Sequence, residues 1–248
     1  VGLSEKTAAS APDEAFTGFG AQALAFLKAL AFHQNREWFL ENKPLYESDI
    51  RAPMGALVVG LAAELTRRGI GLTGDPKRSV FRINRDVRFT KEKHPYKTHA
   101  GAALSRDGNK TSTGILYIHV APEGSFVAAG FYRPEPPQLA VLRGAIAAAP
   151  KRWIALEQQW DAADLTLSRE DAMTRLPRGF ERAAGSPLAE TLKLRSFIVR
   201  RTLPAAALRR ASLIGSIADF AAAAEPLLRF GWSAIDRAEG AAKALPVN

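Results

Sequence analysis

The sequence predicts an α+β fold, a single domain in which a mainly antiparallel sheet has helices packed around it, and three observations carry that expectation. Helical periodicity fills the chain from Gly20 to Arg68 before any β pattern begins. Two apolar runs, Ile115–Val120 and Phe126–Tyr132, then flank a short linker containing Gly124, the pattern of a hairpin. A stretch rich in β-branched and aromatic residues, Arg195–Thr202, returns late, ahead of an Ala-rich closing segment. Helices, then strands, then helices with one returning strand depart from the strict alternation of a doubly wound fold.

Taken in order, residues 1–15 are small, polar and aperiodic and are expected to form a flexible tail, leaving 16–248 as the domain. Leu24, Leu27, Leu30 and Ala31 fall on one face of a first helix. Asn35 is placed to cap a short second helix carrying Trp38 and Phe39, because its side-chain oxygen can accept from free first-turn amides. Pro44 suits the first turn of the next segment, and Leu57, Leu61 and Leu65 define a helix from Pro53 to Arg68 that Gly69 terminates. A turn-rich connector leads to Val80–Phe89, whose alternation predicts a strand. After the hairpin, Pro134, Pro136 and Pro137 stop the β pattern. Helices are expected over Gln138–Ala149, Trp153–Trp160 and Leu188–Lys193, then over Ile214–Ala238, which Pro226 should break or kink.

Composition narrows the function classes. With 248 residues, 47% of them hydrophobic, the chain can bury a substantial core. The net charge of +9 favours acidic partners such as phosphate esters, nucleic acids or anionic surfaces. That charge is concentrated: Lys77–Ala100 holds eight Lys/Arg against two Asp/Glu, and Arg175–Arg210 nine against two, so the blocks carry +6 and +7 and the remainder −4. Zero cysteines exclude disulfides, thiolate metal sites and a cysteine nucleophile. His33, His94, His99 and His119 show no metal-ligand spacing, so no metal or cofactor is expected. No apolar run is long enough to span a bilayer and none has signal-peptide character, so cytoplasmic residence without a membrane partner is expected.

The least core-like stretch is Phe81–Thr98, FRINRDVRFTKEKHPYKT, where six cations meet only Asp86 and Glu92 for a net of +4. In a regular strand, Arg82, Asn84, Asp86 and Arg88 share one face, and Arg85 falls among Phe81, Ile83, Val87 and Phe89 on the other. A guanidinium sent into an apolar row needs a partner or a bulge that turns it outward. Arg supplies a planar fork for phosphate or carboxylate and Lys a mobile point charge, while Pro95 stiffens the loop carrying them. Three readings follow: a solvated or internally paired network, an anion site, or catalysis at a phosphoester with His119 or Asp86 as proton acceptor.

His119 shares a strand face with Tyr117, opposite Leu116, Ile118 and Val120, and serves either as a base or as a satisfied sheet residue. Trp38 and Phe39 are core residues or a base-stacking platform. Arg195 shares a face with Phe197, Val199 and Arg201 and is a candidate to enter the same pocket as Arg85. No nucleophile elbow, P-loop or dinucleotide fingerprint is present.

The run R-I-x-R-D-x-R-F followed by K-x-x-P-Y-K-T, with Asn35–Phe39 upstream and Tyr117, His119, Gly130 and Tyr132 downstream, resembles the uncharacterised family catalogued as domain of unknown function 2461. The resemblance runs from about Phe16 to Phe230 and implies a single α+β domain with no assigned activity. The candidate ligand-binding residues are Arg82, Arg85, Asp86, Arg88, Lys93, Tyr96, Lys97, His119 and Tyr132. No catalytic residue is assigned. The expected partner is a phosphate-bearing small molecule; the alternatives are nucleic acid, or a structural or interaction domain whose arginines are paired internally.

Overall fold

In the computed structural model, residues 15–88 and 93–244 are described. The expected tail, Ala15 apart, and Phe89, Lys91 and Glu92 of the basic run lie outside them.

Among the described residues, five helices precede the first strand. Helix α1 (Ala23–Phe32) buries Phe26, Leu27 and Leu30. Asn35 caps α2 (Arg36–Glu41), its side-chain oxygen accepting from the Trp38 amide at 2.9 Å. Helix α3 (Lys43–Tyr46) carries Pro44 in its first turn and passes through one π-helical turn, Glu47–Arg51, into α4 (Ala52–Arg67). The helix expected from Pro53 is therefore the last part of a longer run. Leu57, Leu61 and Leu65 form its buried face, and Gly69 ends it at φ +71°. Asp75 caps α5 (Pro76–Ser79) by accepting from the Lys77 and Arg78 amides.

The sheet comprises β1 (Ala100–Ser105), β2 (Ile115–Val120), β3 (Ser125–Phe131), β4 (Thr166–Leu167) and β5 (Phe197–Leu203). Their spatial order is β1-β2-β3-β5-β4 and each neighbouring pair is antiparallel. Helices α6 (Pro136–Ala148), α7 (Pro150–Ala162), α8 (Ala189–Leu192) and α9 (Ala205–Leu208) and a 3₁₀ turn, Glu181–Ala183, occupy the intervals. Helix α10 (Leu213–Ala244) closes the chain and runs on through Pro226. The expected break does not occur, because buried Ala224, Leu227 and Leu228 hold both sides of the proline in the core.

Leu104, Leu116, Ile118, Val127, Ala129, Phe131 and Val199 form the core face of the sheet, and α10 comes so close that a Cβ on Gly231 would lie 2.2 Å from the Phe131 ring. Trp153 of α7 meets Phe197 edge to face on the same side. The opposite face is different in character. There Ile115, Tyr117 and His119 are only partly buried. Among the described residues no helix is long and apolar enough to cross a membrane.

Val80–Arg88 is not the expected strand. It meets its neighbours through two isolated bridges, Val80 with Ala102 and Asn84 with Tyr96. Around the second, the Arg85 amide donates to the Pro95 carbonyl and the Lys97 amide to the Ile83 carbonyl, each at 2.8 Å. The next rung would need an N–H from Pro95, which has none. Side-chain parity survives the loss of the ladder: Arg82, Asn84, Asp86 and Arg88 are exposed, while Phe81, Ile83, Arg85 and Val87 are more covered.

Candidate functional site

The Pro95–Lys97 segment runs antiparallel to Ile83–Arg85 and is pinned to the end of α1. The Tyr96 amide donates to the Gln34 side-chain oxygen at 3.0 Å, and the Gln34 amide group donates to the Leu30 carbonyl at 2.8 Å. The buried Tyr96 ring stacks on Phe39 at 4.4 Å. Between this wall and Arg85 lies a cleft of about 410 Å³, lined by Gln34, Arg85, Asp86, Tyr96, Lys97 and His99, with Ala31, His94 and Thr98 at its edges. That volume falls within the size range of small-molecule sites.

Among the described residues, two cations of this lining have no carboxylate partner. Among the described residues, Arg85 makes no side-chain hydrogen bond or ion pair. The Lys97 ammonium donates to the Arg82 carbonyl at 2.9 Å and stands 5.5 Å from the Phe81 ring centre. Lys110 approaches the same ring at 5.5 Å and donates to the Val80 carbonyl at 3.1 Å. Burial, then the charges of Arg82, Lys110 and Arg85, holds the Lys97 pKa below its ordinary value. Lys97 is therefore at the centre of a group of like charges.

The carboxylate on the rim is engaged elsewhere. Asp86 accepts a bidentate pair from Arg88, at 2.9 Å from Nε and 2.7 Å from Nη2, and a third bond from the Arg88 amide at 3.2 Å. Its pKa is lowered, first by the Arg88 side chain, then by the Arg88 amide, with a smaller effect from Arg82. The Lys93 ammonium donates to the Val87 carbonyl at 2.9 Å. The Arg82 side chain points to solvent.

Behind the cleft stands a column of rings. His99 lies 4.5 Å from His119, which stacks on Phe126 at 4.6 Å, and Tyr117 Oη is 3.3 Å from His119 Nδ1. A Cβ on Gly101 would come within 2.8 Å of that hydroxyl, so the glycine opposite makes room for the tyrosine. Burial lowers the His119 pKa to about 4, reinforced by His99 and opposed by Glu123. Burial, then Lys97 and Arg85, lowers that of His99, again opposed by Glu123. Both imidazoles are neutral near neutral pH. Burial pushes Tyr117 up to about 12, so it remains a hydroxyl, hydrogen-bonded with Nδ1 of His119.

Of the residues singled out from sequence, Arg85, Asp86, Tyr96 and Lys97 meet on the cleft lining. Arg82, Arg88 and Lys93 flank it, and His119 stands behind His99 with neighbours that do not include Asp86. Tyr132 is elsewhere, 63% exposed at the end of β3 with the Arg133 guanidinium 5.5 Å from its ring. Arg195 does not join Arg85; its nearest acid is Asp171 at 3.8 Å. Trp38 packs with Phe26 and His33, and Phe39 is core. Sequence reasoning passed over Gln34, His99 and Lys110. His99 immediately follows the basic run, but its role is set by a contact with a strand twenty positions later. Among the described residues no three His, Asp or Glu side chains are grouped to hold a metal ion.

Fold and site together define an α+β protein with a cationic cleft at the edge of its sheet, a class marked by architecture rather than by a known reaction. The chain belongs to the family of conserved hypothetical proteins described as DUF2461, whose model matches residues 22–230, from the start of α1 into α10 and across all five strands. No curated protein and no solved structure gives a significant match.

Proposed function

We propose that the protein binds a phosphate-bearing small molecule in the cleft between α1 and the Ile83–His99 region, with Arg85 and Lys97 as direct contacts. The observation that carries this reading is the unmatched pair itself: two cations line one concave site, and the acid beside them is held by Arg88. Holding like charges together opposes folding, and an anion between them relieves the repulsion. Arg85 supplies the planar fork and Lys97 the point charge. Arg82 and Lys110 strengthen the field from behind, the Asp86–Arg88 pair shapes the rim, and Tyr96 forms part of the floor.

A nucleic-acid track would need the second basic block to continue this surface, and the three arginines of its Arg195–Thr202 stretch are engaged locally. Arg200 pairs with Glu170 at 2.6 Å, Arg195 faces Asp171, and Arg201 donates to the Ala163 carbonyl while lying 5.7 Å from the Phe220 ring. The test is thermal melting of the wild type and Arg85→Ala across concentrations of inorganic phosphate, pyrophosphate and a nucleoside monophosphate. A saturable rise in Tm that the variant lacks is expected. Flat melting temperatures for both proteins would reject the reading. Salt-sensitive binding of duplex DNA instead would favour nucleic acid.

A further inference from the structure

The cleft also specifies which kind of phosphate it suits, an inference that rests on the anion-binding reading above. We propose that the ligand carries a terminal phosphomonoester dianion, in preference to a phosphodiester, and that its binding places a proton on His99.

The first argument is charge balance. Arg85 and Lys97 present two positive charges to the cleft, and Asp86 is matched by Arg88. A dianion neutralises both cations. A diester monoanion leaves one of them uncompensated, with Arg82 and Lys110 still adding their repulsion at Lys97. The second argument is the position of His99. It is on the lining beside Lys97, with Arg85 acting on it from the opposing segment, Glu123 from the β2–β3 turn, and His119 against its ring from β2. Burial first, then Lys97 and Arg85, disfavour a charged imidazole, and Glu123 opposes them. A dianion cancels their repulsion and adds its own attraction, so the imidazolium becomes the favoured state. His119 does not take this role, because it is not on the cleft lining, His99 packs against its ring, and its Nδ1 is engaged by the Tyr117 hydroxyl. The third proton donor that a tetrahedral anion can use is thereby supplied by the wall itself.

Two titrations test this. Isothermal calorimetry compares phenyl phosphate with methyl phenyl phosphate at pH 8, and the expected preference for the monoester is roughly tenfold or more. Sulfate, a dianion that does not itself titrate near neutrality, is then bound at pH 7 in two buffers of different ionisation heat. The wild type is expected to take up a large fraction of one proton and His99→Asn almost none. NMR titration of the His99 ring in the wild type provides a measurement that does not rely on the variant folding, and sulfate is expected to move its midpoint upward by about one pH unit or more. Equal affinity for the two esters, or sulfate binding with no proton uptake and no shift at His99, overturns this inference while leaving the cleft an anion site. Failure of every probe to bind removes the anion site itself.

Discussion

Phe81–Arg88 and Arg195–Thr202 each place three arginines in eight residues, yet the fold treats them differently. The second stretch leads into β5, which is paired with β3 on one side and β4 on the other. The chain around β4 brings Glu170 and Asp171 to Arg200 and Arg195, and Ala163 offers its carbonyl to Arg201. The first stretch meets the sheet edge only at its start, where Val80 bridges Ala102 and the Phe81 amide donates to the Gly101 carbonyl, and its own bridge, Asn84 with Tyr96, is not to a strand of the sheet. It retains one close acid, Asp86, which Arg88 holds, and Arg85 turns into a cleft. The lesson is that excess charge in a sequence becomes a site only where topology fails to deliver the counter-charge. A strand inside a sheet collects neighbours on both sides, and an edge segment collects few.

The comparison breaks most completely if β5 is unseated. Gly130 sits at φ +133° opposite Ile198, and a Cβ there would lie 2.1 Å from the Phe197 carbonyl oxygen, a backbone atom that cannot swing aside. Gly130→Ala is expected to cost about 3 kcal/mol or more in urea denaturation, combining strain at positive φ with the clash. A loss below about 1 kcal/mol would mean that β5 does not depend on this close approach.

Acid should act on the cleft side of the molecule. The folded pKa of His119, about 4, lies below the 6.5 of an unperturbed histidine, so the unfolded chain binds more protons between those values. Stability therefore falls as pH drops through that window, by about 2 kcal/mol once the ring's partial exposure is allowed for. His119→Gln should make the loss of stability between pH 6.5 and pH 4 clearly smaller in denaturation curves, His99 and the carboxylates held below their usual range supplying what remains, and an unchanged slope would refute the assignment.

The smallest effects are the most direct contrast between the two stretches. Arg201→Ala loses its bond to Ala163 and its contact with Phe220, and is expected to destabilise by about 1 to 2 kcal/mol. Arg85→Ala removes a charge without an acid partner and is expected to change stability by less than about 0.5 kcal/mol, in either direction. Equal costs at the two positions would erase the distinction drawn between them.

What could be read from sequence follows the range of the forces involved. The Asn35 cap, the leucine face of α4 and the β2–β3 hairpin are local, and their signals stand in the chain order. Strand β1, Ala-Gly-Ala-Ala-Leu-Ser, has little β propensity of its own and is made a strand by pairing with β2. Val80–Arg88 shows the reverse: it has the alternation without a partner ladder, because Pro95 cannot continue one. Parity alone placed Arg85 apart from Arg82 and Arg88, and that separation holds. The same device could not place Arg195, whose surroundings depend on Asp171, nor His99, whose ring is positioned by His119.

Gln34 joins the last turn of α1 to Tyr96 by giving one hydrogen bond and receiving another, across 62 positions of sequence. That amide ties the helix end to the cleft wall, with Lys97 one residue beyond the point of attachment. Phe32, 79% exposed, lies two residues from the junction. The outer surface of the first helix is thus separated by two side-chain hydrogen bonds from the segment that carries the ammonium group of the cleft, even though the two are remote along the chain.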